Sequence, residues 1–159
     1  MPRYWLMKSE PNTYSIDDLR ADGETCWEGV RNYQARNLMR DDMAVGDMAI
    51  FYHSNAKPPG AVGVARISRA GYPDHYALDV ESNYFDKRTT PEKNPWVMVD
   101  VVFVERWADS VALAELKADP ALEGMLVIRR GQRLSVQPVE PHHFEHVLAL
   151  GRAKGPVQG

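Results

Sequence analysis

The chain has 159 residues, 44% of them hydrophobic, and this length supports one domain with a core of its own. A net charge of −3 argues against a general electrostatic grip on duplex DNA, and Cys26, the single cysteine, excludes an intrachain disulfide. No run approaches the roughly 18 apolar residues of a membrane span and no apolar signal core follows Met1-Pro2-Arg3, so the expectation is a cytoplasmic protein with no membrane partner.

In chain order, Tyr4-Trp5-Leu6-Met7 reads as an opening strand. Ser15-Ile16-Asp17-Asp18 is a capping box for a short helix, with Tyr14 placed to staple onto Leu19. Asn32 is placed to cap a helix from Tyr33 to about Asp42, whose Ala35, Leu38, Met39 and Met43 make one apolar face. Strands are expected at 48–52 after a Gly-Asp turn, at 61–67 after Pro58-Pro59-Gly60, and in the β-branched run from Trp96 to Trp107. Between the last two, residues 72–96 form a long polar segment rich in Pro, Asn and Asp, with Tyr76, Tyr84 and Phe85 embedded. Loops this long inside a compact domain are often functional. Ser110 reads as the cap of a helix carrying Leu113 and Leu116. Arg133-Leu134-Ser135-Val136 reads as a strand stopped at Pro138, and a last helix runs from Pro141 to Gly151. Many strands with isolated short helices and no regular βαβ alternation predict an α+β fold, a small barrel with helices packed outside.

The chemistry concentrates in the first third. Lys8-Ser9-Glu10-Pro11, Trp27 to Tyr33 and Tyr52-His53-Ser54-Asn55 pair rings with amides, hydroxyls and cations, which suits a pocket for a flat polar base. Trp27 offers a stacking face, worth about 1–3 kcal/mol per base. Asn32 carries the donor and acceptor that read a base edge. Arg31 at a helix start suits a phosphate. Alternation places Tyr52 and Ser54 on one face and His53 on the other, where His53 reads as a hydrogen-bonded structural histidine. Cys26 reads as a small buried hydrophobe.

No catalytic motif matches this cluster in strength: a phosphate loop, a dinucleotide fingerprint and a nucleophile elbow are all missing. His142 and His146 stand four apart on a helix but lack the glutamate and third ligand of a zinc site, so no metal or other cofactor is expected. The segment from Met125 onward carries net +3 on a body of −6, a local strip suited to a few phosphates or simply a solvated face.

Taken together, the stretches 5–11, 27–33 and 51–55, with Tyr72-Pro73-Asp74, Tyr84-Phe85-Asp86, 96–101 and Arg133-Leu134-Ser135-Val136, resemble the EVE-domain family. They run in order across nearly the whole chain. The resemblance implies a PUA-like closed β-barrel flanked by helices, related to YTH and ASCH domains, over residues 1–151, with a short polar tail at 152–159. It implies a binding module for a modified nucleobase, modified cytosine above all, in single-stranded or flipped-out DNA or RNA. Its pocket candidates are Lys8, Ser9, Trp27, Asn32, Tyr33, Tyr52, Ser54 and Ser135, with Arg31, Arg36 and Arg133 on phosphate. A nuclear member of the family carries a basic leader before the domain, whereas this chain begins at the first strand; a free-standing bacterial reader is the expectation. Two alternatives stay open. One is an amidohydrolase of an acylated cytosine, using Lys8, Ser9 and a carboxylate such as Glu28. The other is a protein-interaction module that uses the 72–96 loop.

Overall fold

The computed structural model describes residues 3–131 and 133–159. Among them are six strands: β1 (Tyr4–Ser9), β2 (Glu24–Trp27), β3 (Met48–His53), β4 (Gly60–Pro73), β5 (Val97–Ala112) and β6 (Val136–Val139). Four helices accompany them: α1 (Ile16–Asp22), α2 (Tyr33–Asn37, continued by a π-helical turn at Leu38–Asp42), α3 (Leu113–Ala118) and α4 (Pro141–Arg152). The strands form one mixed sheet in the order β2-β5-β4-β3-β1-β6. Only β1 and β3 are parallel; the other neighbours are antiparallel. None of the described helices is long and apolar enough to cross a membrane.

Strand alternation gives the sheet two apolar faces. Trp5, Met7, Ala49 and Phe51 enter one buried cluster, while Leu6, Ile50 and Tyr52 enter another. The first is completed by Ile16 and Leu19 of α1 and by Ala35 and Met39 of the second helix. The other receives Leu116 of α3 and Phe144 and Val147 of α4. Carboxylates tie three indoles into this frame: Trp5 donates to buried Asp47 (2.9 Å), Trp107 to buried Glu105 (2.9 Å) and Trp96 to the partly exposed Asp86 (2.9 Å).

The expected closed barrel is not what the pairing gives. The sheet is open, because β2 pairs only with β5, and β6 only with β1. Beyond Trp27 the backbone turns away at Gly29, whose φ is +83°. Leu134 and Val136 still share the first cluster with Trp27, so side chains, not a ladder of backbone bonds, face each other across the seam.

Local expectations held at the Ser15 capping box, where Ser15 and Asp18 cap each other. They held also at Asn32, which accepts from the Ala35 N–H at 3.0 Å, and at Pro141, which opens α4. Three differ. β5 runs through Ser110 to Ala112, and Glu115 reaches back to the Ala112 N–H to begin α3. β6 begins where a strand was expected to end and contains Pro138, tolerated because β6 is an edge. Gly151 does not terminate α4 but lies inside it, where a Cβ would run into the Trp107 ring. Residues 152–159 return along β5: Arg152 pairs with Glu105 (2.7 Å), and Gln158 exchanges backbone bonds with Arg106.

His53 is the structural histidine expected. Its Nε2 accepts the Ile16 N–H at 3.1 Å, which requires an unprotonated nitrogen, and burial lowers its pKa from the usual value near 6.5. The folded state therefore resists a proton that the unfolded chain accepts. Stability from this group is present above about pH 6.5 and is lost as pH falls below it. Melting temperature should drop between pH 7 and 5.5, and His53→Gln should flatten part of that slope. His143, buried and shifted in the same direction, contributes with the same sign. An unchanged slope in the variant would contradict this.

Candidate functional site

Because β1 and β3 are parallel neighbours, with Ser9 opposite His53, their C-terminal ends open on the same side of the sheet. The Ser54 N–H donates to the Ser9 carbonyl (3.0 Å) and the Lys8 N–H to the Ser135 carbonyl (2.8 Å), which brings the entry to β6 to the same place. The end of β2 completes the rim. The result is a cleft of about 1020 Å³ at the open seam of the sheet. Its walls include Lys8, Ser9, Glu10, Tyr14, Cys26, Trp27, Glu28, Ser54, Asn55, Tyr84, Arg133 and Ser135.

One wall comes from the 72–96 loop, held by a hub at Asp74. This fully buried carboxylate accepts from the Gly29 N–H (3.0 Å), the Arg31 guanidinium (2.9 Å) and the Tyr76 N–H (2.9 Å). Arg31 also donates to the Tyr84 carbonyl at 2.6 Å. Tyr84 then lies against Gly29, where a Cβ would sit 2.5 Å from its ring. A side chain at position 29 would push the wall away, and the positive φ would strain it as well.

Opposite Tyr84, the Ser9 hydroxyl donates to the Tyr14 carbonyl (2.6 Å) and fixes the loop into α1. The Tyr14 hydroxyl donates to Asp22 at 2.8 Å, and burial, with Asp22 beside it, pushes its pKa up to about 12. The Cys26 thiol donates to Glu28 (3.4 Å) and is pushed up to about 11 by burial and by Glu28. It is a protonated thiol at neutral pH, not a nucleophile.

Two donors in this cleft stand out. Trp27 is the one tryptophan of four whose indole N–H has no partner among the described residues; the other three donate to carboxylates. The half-buried Lys8 ammonium has no hydrogen bond or ion pair with any described residue, and burial lowers its pKa. The Ser54 and Ser135 hydroxyls likewise have no hydrogen-bond partner among the described residues. Three rings, Tyr14, Trp27 and Tyr84, share the walls with these donors and with the Glu10 and Glu28 carboxylates. A flat ligand with polar edges suits such a wall set.

Of the residues expected from the sequence, Lys8, Ser9, Trp27, Ser54, Ser135 and Arg133 meet here. The other five lie outside the cleft. Asn32 uses its side-chain oxygen as a helix cap. Tyr52 is buried on the opposite face of the sheet, where alternation along β3 puts it with Leu6 and Ile50, whereas β3 ends at His53 and Ser54 lies beyond it at the rim. Tyr33 is 57% exposed and leans on Trp96. Arg31 is bound to Asp74 and Tyr84, and Arg36 donates to the Pro95 carbonyl at 2.9 Å. Tyr14 and Tyr84 are cleft residues that the sequence did not single out for the pocket, Asn55 entered only as part of the 52–55 stretch, and Glu28 only as a catalytic carboxylate. The signal for Tyr84 was the pairing of Gly29 with an aromatic in the long loop, a contact across more than fifty residues.

The family model of the EVE domain matches residues 3–150. Human thymocyte nuclear protein 1 is 41% identical over 166 residues, spanning 92% of this chain and 73% of the human protein. The crystal structure of human THYN1 in complex with 5-methylcytosine-containing DNA aligns with a TM-score of 0.88 at 40% identity, over 97% of this chain and 99% of that one. A hypothetical protein from Leishmania major aligns with a TM-score of 0.92 at 48% identity, over 96% of each chain. A match over nearly the whole fold, at this identity, leaves no other grouping to consider: the chain belongs to the EVE-domain family.

Proposed function

We propose that the cleft holds one modified cytosine, extruded from a DNA or RNA strand, and that the protein is a reader and not an enzyme. The observation that carries this reading is the pair of donors without a partner among the described residues, Lys8 and the Trp27 indole, between aromatic walls. The complex of human THYN1 with 5-methylcytosine-containing DNA supports the choice of ligand. Extruding a base costs a few kcal/mol, offset by stacking and edge contacts in the pocket. Lys8, Ser54 and Ser135 donate to the ring nitrogen and carbonyl of cytosine, and Glu28 accepts from its exocyclic amine. Gly29, anchored to Asp74, and the β2 ladder hold Glu28 from both sides. Arg133, exposed at the rim, meets a neighbouring phosphate. Arg31 and Asn32, by contrast, serve to build the wall and the helix.

Thymine tests these edge contacts, because it differs from 5-methylcytosine at C4, where a carbonyl replaces the amine, and at N3, which carries a hydrogen. Fluorescence titration with short single-stranded oligonucleotides carrying cytosine, 5-methylcytosine, 5-hydroxymethylcytosine or thymine should show selective binding of one modified cytosine. Discrimination against thymine should be about ten- to hundredfold. Glu28→Gln, whose amide presents a donor as readily as an acceptor, should weaken the thymine discrimination to the part set at N3 and keep the preference for the modified base over plain cytosine. Equal binding of all four by the native protein would defeat the reading. The amidohydrolase alternative predicts product from N4-acetylcytidine. Against it, the Ser9 hydroxyl is already committed to the Tyr14 carbonyl.

A further inference from the structure

Beside the cleft lies a second surface. Tyr33 (57% exposed) and Phe85 (40% exposed) are two of the large hydrophobic side chains this protein leaves in solvent. Tyr33 begins a stacked column running inward to the cleft wall. The Arg36 guanidinium sits 5.0 Å from the Tyr33 ring, Tyr33 lies 4.8 Å from Trp96, and Arg31 lies 5.4 Å from Trp96 and 6.0 Å from Tyr84. The Trp96 indole bond to Asp86 fixes the middle of the column. Two shallow depressions of about 600 and 490 Å³ flank it and share Asp86 and Arg88. The first shares Tyr84 with the cleft, so the surface is continuous with the site described above.

Cations accompany the rings. Lys87 and Arg88 follow Phe85, Lys93 lines the second depression, and Arg36 covers Tyr33. The Arg88 side chain is 83% exposed and held only by a 3.4 Å contact with Asp86, an exposed pairing that competes weakly with a phosphate. The Asp86 carboxylate is already engaged by Trp96 and by the Arg88 N–H, which limits its repulsion of an anionic strand. Rings interleaved with cations form the pattern that tracks single-stranded nucleic acid, bases on rings and phosphates on cations.

We infer that Tyr33, Phe85, Lys87, Arg88 and Lys93 form a platform for the single-stranded nucleotides that flank the base in the cleft. The inference rests on the base-binding reading of the cleft. The cleft selects the base, and the platform adds affinity that grows with strand length and falls with salt.

The test compares free 5-methylcytidine with a single-stranded heptamer carrying one central 5-methylcytosine, for the native protein, Phe85→Ala and Arg88→Ala. The native protein should bind the heptamer at least about tenfold more tightly than the nucleoside. Phe85→Ala should remove most of that gain. Arg88→Ala should reduce the slope of log affinity against log salt by about 0.7, the value for one single-strand phosphate. Both positions are exposed, so nucleoside affinity and circular dichroism should stay native. A heptamer bound no better than the nucleoside, or a full gain and full salt slope in both variants, would overturn the platform and leave this face to a protein partner. Failure of the native protein to bind the nucleoside at all would instead remove the reading of the cleft, and the platform with it.

Discussion

Asp74→Ala is expected to destabilise the protein by about 3 kcal/mol, the scale for removing one partner of a buried, hydrogen-bonded ion pair. Three donors lose their acceptor at once: the Gly29 N–H, the Arg31 guanidinium and the Tyr76 N–H. For a chain of this length that is roughly 6–12 °C in melting temperature. The consequence for the site exceeds the consequence for the fold, since these bonds hold the 72–96 loop against the end of β2 and set Tyr84 against Gly29. Base binding should be lost at temperatures where the variant remains folded by circular dichroism. Asp74→Asn keeps one acceptor oxygen and should fall between. A variant that melts like the native protein and binds like it would contradict the role given to this hub.

The second large effect has opposite signs for stability and binding. Lys8 is half-buried, has no partner among the described residues, and has its pKa lowered by burial. The fold therefore carries a partly desolvated charge that it does not use. Lys8→Met keeps the length of the side chain and removes the charge. The variant should melt at or above the native temperature while losing tenfold or more in affinity, since a charge-assisted hydrogen bond is worth about 1.5–3 kcal/mol. The pH dependence has a defined sign. With the folded pKa below the usual 10.5, raising pH releases the proton from the folded protein first, so stability rises and base affinity falls on the alkaline side. Unchanged affinity in Lys8→Met would exclude Lys8 from the contact.

What the sequence disclosed and what it hid divide along a physical line. The helix starts at Ser15, Asn32 and Pro141 were legible because capping is settled within four residues. The strand ends of β1 and β3 were legible as site-bearing because apolar runs give way there to Lys8-Ser9 and Ser54-Asn55. Tyr52 was misplaced because the strand ends at His53, so the alternation expected to pair Tyr52 with Ser54 does not extend to Ser54, and nothing local announces that end. Asn32 and Arg31 have the chemistry of ligand contacts, but their partners, Ala35 and Asp74, had claims on them that only the folded chain reveals. The open seam was hidden as well. Closure depends on whether β2 and β6 pair, which their short sequences leave undetermined.

A modified cytosine held between Trp27, Lys8 and Tyr84 would change the surroundings of one indole N–H and leave others untouched. The most direct measurement is a ¹H–¹⁵N NMR titration with a single-stranded oligonucleotide carrying 5-methylcytosine, following the four indole N–H signals. Trp5 and Trp107 donate to carboxylates away from the cleft, whereas Trp27 lines it and its indole N–H has no partner among the described residues. The account predicts that the Trp27 signal shifts saturably while those of Trp5 and Trp107 stay in place, and that plain cytosine moves it far less. A stationary Trp27 signal at saturation, or equal shifts with plain and modified strands, would contradict it.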